Sequence, residues 1–189
     1  MTSVSSATGR SLLELIDGAD ERGLAAAGLA CLDRCLPLLA TDRADALRPV
    51  WAAVARGDGG AWGEAVAKAR VELDADASAD AGAVRGMLAD APAAWTADAL
   101  RAWAGGCSVT ALTLHGRYDA SGTPDGLVER CRAGDADGAG PLLAGELRRQ
   151  QAVLESVAHG PTGLRRAREL SVEGGRVLRA VVSRRARTA

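Results

Sequence analysis

Residues 100–118 read LRAWAGGCSVTALTLHGRY, and whether this stretch is helix or strand decides the fold class. Val109-Thr-Ala-Leu-Thr-Leu114 is the one place where β-branched residues cluster, a composition that suits a pleated strand. Against that, Leu100, Trp103, Cys107, Ala111, Leu114 and Tyr118 recur in steps of three and four on both sides of the cluster, which is the period of one helix face. No partner strand is apparent elsewhere. The spacing therefore predicts helix, with strand over Val109 to Leu114 as the alternative.

The same period runs outward in both directions. Ser11-Leu-Leu-Glu14 has capping-box spacing and opens a short helix with Leu12, Leu15 and Ile16, ending near Gly18. Leu24, Ala27, Gly28, Cys31, Leu32, Cys35 and Leu39 form the next stripe, with a break expected at Pro37 because proline lacks the amide and clashes with the preceding turn. Thr41-Asp42 reads as a cap before the stripe Leu47, Val50, Trp51 and Val54, whose start Pro49 obscures. Asp58 then caps a helix with Trp62, Ala65, Val66, Ala69 and Leu73 on its face.

Asp74 to Gly82, made mostly of Ala and Asp, reads as a mobile connection before a helix carrying Val84, Met87, Leu88 and Ala91. Asp119 to Gly126 reads as a loop in which Thr123 caps and Pro124 takes the first helical position. Leu127, Val128 and Cys131 follow, and then Leu143, Leu147, Gln150, Leu154 and Val157 up to Gly160-Pro161. The last segment has Leu164, Ala167, Ser171, Gly174, Leu178 and Val181 at alternating three and four spacing, a small-residue seam.

Helices joined by short glycine turns pack as antiparallel hairpins. The expected fold is an all-α, single-domain bundle of about seven or eight such helices. Residues 1–10 are expected to be a disordered tail and not a signal peptide, since no apolar core follows a basic start. Residues 11–160 are expected to form an acidic helical body, and 161–189 a basic C-terminal helix, either packed on the bundle or projecting. Val54-Ala-Arg-Gly-Asp58 followed by Ala61, Ala65 and Ala69 resembles the helix-turn-helix of tetratricopeptide repeats over about one repeat length. Such arrays need roughly three repeats and no third copy appears, so a generic helical hairpin is the better account.

Composition fits this picture. The 189 residues are 48% hydrophobic and 25% charged, a globular balance. Ala supplies 41 positions and Gly 23, so the core must be built from closely approaching backbones completed by 23 Leu and four Trp, without any Phe. No run of about 18 apolar residues exists, so no membrane is expected as a partner. The four cysteines are too sparse for a secreted disulfide framework, and a cytoplasmic location is expected.

Neither common phosphate-binding loop occurs in the sequence, which argues against a nucleotide enzyme of those classes. Cys31 and Cys35 share a helix face, but they and Cys107 and Cys131 lack recognised zinc spacing and read as small core hydrophobes. The two histidines, His115 and His159, each precede a glycine at a helix end, where capping accounts for them. Trp51, Trp62, Trp95 and Trp103 read as core fillers. No catalytic, metal or cofactor-binding residue is expected, and the chain is expected not to be an enzyme.

The positive signal is charge. Basic side chains are 22 Arg and one Lys, and from Leu164 onward eight Arg face two Glu, a local charge of +6, against -7 for the rest. Arg165, Arg168, Arg176 and Arg179 share a helical face, and Arg184, Arg185 and Arg187 extend the charge beyond it. The leading expectation is a non-enzymatic interaction or regulatory protein, self-associating as a homo-oligomer or binding another protein. A second reading is polyanion or nucleic-acid binding through those seven arginines. A third is a small-ligand binder or enzyme with a pocket between helices, in which His115, Cys107 or a tryptophan meets a carboxylate.

Overall fold

A computed structural model describes residues 9–39, 45–73 and 79–188. Among these residues the chain forms nine α-helices and no strand: α1 (Leu12–Asp17), α2 (Glu21–Cys35), α3 (Arg48–Arg56), α4 (Gly59–Glu72), α5 (Ala79–Ala89), α6 (Ala97–Arg117), α7 (Leu127–Ala133), α8 (Pro141–Val157) and α9 (Pro161–Thr188). The deciding segment is helix throughout, because α6 runs unbroken across Val109 to Leu114 and buries Leu100, Trp103, Cys107, Ala111 and Leu114 along one side. The fold is the all-α helical bundle that the periodicity implies.

The centre is α2. Twelve of its fifteen residues are buried, as a helix apolar nearly all round must be. It packs on α6, α9, α8, α3 and α5. Close approach is permitted by small side chains: a Cβ at Gly28 would meet the Trp103 ring, and one at Gly174 of α9 would collide with the Arg34 side chain. The seam of α9 lies as its spacing implies, with Leu164, Ala167, Ser171, Gly174 and Leu178 buried.

Sequence signals set most helix ends. Ser11 and Glu14 form the full capping box. Asp58 accepts the Ala61 amide at 3.0 Å and starts α4, one residue after Gly57 reverses the chain at φ 64°. Pro37 ends α2 at Cys35, and Leu36–Leu38 tightens into a 3-10 turn. The N-terminus of α8 has no side chain of its own for capping, since Gly140 occupies that position. Asp119, just past the end of α6, accepts the Leu142 and Leu143 amides at 2.8 and 3.0 Å instead.

Two expectations change. Thr123 and Pro124 do not open α7, because Gly126 adopts φ 75°, outside the helical region, so the helix starts at Leu127. The connection expected from Asp74 to Gly82 is helical from Ala79, where Ala81 is buried and Asp80 binds Arg117 and Tyr118 across to α6. His115 does lie in the last turn of α6 with Nδ1 on the Ala111 carbonyl, the helix-end position expected of it, and it is buried there. Residues 74–78, the Thr41-Asp42 cap and residues 1–8 of the expected tail lie outside the described residues.

The tryptophans fill the core. Trp62 is fully buried and meets Trp95 and Trp103 edge to face at 5.5 and 5.4 Å. The indole N–H of Trp62 donates to the Pro92 carbonyl and that of Trp103 to the Met87 carbonyl, each at 2.7 Å, so these rings are buried without an orphaned donor.

Candidate functional site

Two polar assemblies stand out, one sealed in the core and one open to solvent. The sealed one joins α2, α6 and α8. Arg34 and Glu146, both 0% exposed, meet as a two-toothed fork with Nε and one terminal nitrogen donating to the two carboxylate oxygens at 2.8 and 2.7 Å. Gln150 donates to the same carboxylate at 2.9 Å. His115 Nδ1 lies 2.8 Å from the Ala111 carbonyl oxygen, which can only accept, so that nitrogen carries a proton. Its Nε2 faces Glu146 at 3.6 Å, beyond hydrogen-bond length.

Burial alone would raise the Glu146 carboxyl, but the Arg34 charge outweighs it, helped by His115 and by the hydrogen bonds from Arg34 and Gln150, and holds it below the ordinary 4.5. Burial likewise acts to lower the Arg34 value, and Glu146 reverses that. The pair is ionised. A histidine beside a carboxylate is the constellation the enzyme reading required, yet the space beside Gln150, Ser108 and Cys31 is about 10 Å³. That is about the size of a single water.

Cys31, Cys35, Cys107 and Cys131 are all buried free thiols. Burial pushes Cys31 up to about 12 and Cys35 and Cys107 well above the ordinary 9.0, the opposite of an activated nucleophile. Among the described residues no group of three or more His, Cys, Asp or Glu is placed to hold a metal ion. His159 is exposed, with Nδ1 2.9 Å from the Glu155 carbonyl at the end of α8, the position in which capping is expected.

The open assembly lies between α3 and α9, which both pack on α2 without packing closely on one another. The gap is a groove of about 840 Å³. Trp51, Ala52 and Ala55 form its apolar lining on the α3 side, with Leu164 and Val172 on the α9 side. Val172 is 51% exposed, one of three large apolar side chains left open among the described residues. Around this lining stand Arg22, Arg48, Arg165, Arg166, Arg168 and Arg176 against Glu169 and Glu173, a local charge of +4. Arg22, Arg165 and Arg176 have no ion-pair partner among the described residues.

A second hollow of about 400 Å³ continues past Trp51 and Arg176 to Arg179. There Trp51 donates to Asp33 at 3.0 Å, and burial raises the Asp33 carboxyl against that bond and the Arg34 and Arg168 charges.

No family model, curated protein or solved structure matches this chain.

The seven arginines singled out by sequence therefore divide. Arg165, Arg168, Arg176 and Arg179 do share a face, and the fold places Arg22 and Arg48 opposite them. Arg185 turns back on the body, donating to the Arg117 and Tyr118 carbonyls at 3.3 and 2.9 Å and lying 5.0 Å above the Tyr118 ring. It satisfies carbonyls at the end of α6. Arg184 and Arg187 are exposed beyond the last buried residue of α9. Sequence reasoning missed Arg34 and Glu146, although the uncharged run Leu24 to Leu32 marks α2 as central and so marks a charge at its end as buried.

Proposed function

We propose that this chain is a non-enzymatic interaction protein that holds an anionic partner in the groove between α3 and α9. The observation that carries the reading is the set of six arginines around an apolar lining, five exposed and Arg22 half-buried, with three of the six guanidinium groups lacking a carboxylate among the described residues. Guanidinium is weakly hydrated and presents a planar fork of donors, which suits carboxylates and phosphates. The filled core around His115 and Glu146 and the suppressed thiols support binding over catalysis.

Self-association would draw on an open small-residue face. On α9 that face, Ala167, Ser171 and Gly174, is covered within the fold, so charge on the outer face is the better guide to a partner. Light scattering tests the homo-oligomer separately; a monomer at every concentration removes it. A cytoplasmic setting is part of the same proposal. No helix among the described residues is long and apolar enough to cross a membrane.

The test is binding of fluorescein-labelled poly-glutamate to the full chain across a salt series. Affinity is expected to fall steadily with salt, and Arg168→Glu with Arg176→Glu is expected to remove binding while the chain still melts cooperatively, because both side chains are exposed. Absence of binding at low salt, or binding indifferent to the two substitutions, refutes the reading. Substitution is preferable to removing α9, since that helix buries seven residues.

A further inference from the structure

The form of the groove, taken with the anion-binding reading on which this proposal rests, narrows the occupant further than charge alone does. Arg165 and Arg176 are eleven positions apart on α9, about 16 Å at ~1.5 Å per residue, so arginines stand at both ends of this stretch, with Glu169 and Glu173 between them drawn to Arg166 and Arg149. A ligand with a single anionic head would use only one end of it. Arg22 and Arg48, from α2 and α3, line the same groove as the α9 arginines, so each side carries a positive balance: two Arg there, and four Arg against Glu169 and Glu173 on α9.

The strip itself is aliphatic where it is open. Trp51 is 3% exposed and its N–H is committed to Asp33, so no ring stands out on which a nucleobase could stack. Charge on both flanks with an apolar line between them is the complement of an amphipathic helix whose apolar stripe is bordered on each side by carboxylates.

We propose that the groove receives an acidic amphipathic helix of a partner protein. The helix is about four turns long, matching Pro161 to Arg176 at ~5.4 Å per turn. Its apolar residues recur at three and four and seat against Ala52, Ala55 and Val172. Asp or Glu on one flank meets Arg22 and Arg48, and on the other Arg168 and Arg176. Such a segment gains its helix on docking, because isolated peptides of this length are marginal helices in water.

The experiment uses the full chain and four labelled probes: an end-blocked peptide of about sixteen residues with Leu at helical spacing and Glu on both flanks, the same composition scrambled, poly-glutamate, and oligothymidylate of about sixteen nucleotides. Anisotropy gives affinities and circular dichroism gives peptide helicity. The striped peptide is expected to bind at least about tenfold tighter than its scramble, a difference of ~1.4 kcal/mol. It is also expected to gain helix, and to lose about tenfold or more in affinity with Val172→Glu and again with Arg168→Glu.

Equal binding of striped and scrambled peptides overturns the helix while leaving an anion site. Tighter binding of oligothymidylate, sensitive to the same arginines, assigns the groove to nucleic acid and overturns it too. A concentration-dependent dimer dispersed by Val172→Glu makes a second copy the occupant, which also refutes it. If none of the probes binds, the anion-binding reading falls with it.

Discussion

Removing the Glu146 charge should cost this protein far more than any surface ion pair would. In Glu146→Gln the Arg34 guanidinium, 0% exposed and with one terminal nitrogen already unpartnered, keeps its charge but loses the anion that holds two of its nitrogens. Breaking a buried pair from one side typically costs about 3–5 kcal/mol. A chain of this size loses roughly 2–4 °C per kcal/mol, so the melting temperature should drop by about 6–20 °C. Arg34→Met with Glu146→Leu removes both charges together, and most of the loss should return, since well-packed apolar replacements of buried pairs are often neutral.

The assay is urea unfolding of the wild type, both single variants and the double. The pH dependence adds an internal check. Because the Glu146 carboxyl is held below its ordinary 4.5, its contribution to stability is present above that pH and is lost as pH falls through the lowered folded value. Glu146→Gln should flatten that part of the acid limb. A single-variant loss under about 1 kcal/mol, the range of exposed pairs, would refute the reasoning. So would a double variant whose loss equals the sum of the two singles, since coupled partners must depart from additivity.

The core and its caps lead to two further outcomes. No cysteine should react with a chromogenic disulfide reagent at pH 8 until urea unfolds the chain, and stability should decline as pH rises above 9.0, where unfolded thiols ionise while Cys31, pushed up to about 12, does not; one thiol titrating in the native state contradicts this. Asp119→Ala should cost about 1–3 kcal/mol in urea unfolding, because it strips the Leu142 and Leu143 amides of their shared acceptor at the start of α8; a loss indistinguishable from zero would mean that water replaces the carboxylate.

Local chemistry makes the helices legible. Ser11, Asp58, Pro37 and Gly160 act within a turn of their own positions, and the stripe from Leu100 to Tyr118 outweighs the strand preference of Val109 and Thr110 because burial of a continuous face dominates intrinsic propensity. Pairings between distant segments are not legible in this way. Arg34 and Glu146 are 112 positions apart, and a charged residue read alone belongs on the surface. Asp119 caps a helix that starts 22 residues later. Arg165, Arg168, Arg176 and Arg179 group correctly from sequence because helical spacing alone aligns them. Arg22 and Arg48, opposite them, require the tertiary fold. Arg185 lies over the Tyr118 ring, away from the groove, and nothing in its neighbourhood along the chain announces Tyr118 as its seat.

The two faces of α9 live under unlike rules. Gly174 lies directly over the Arg34 side chain, leaving no room for even a methyl group, so the inner face closes the buried ion pair and tolerates almost no change. Arg165, Arg168, Val172 and Arg176 on the outer face touch little of the interior and can be exchanged with little disturbance to packing. Partner choice in this scaffold can thus be retuned by substitution at a few outward positions of one helix, while the fold is guarded by the residues behind them.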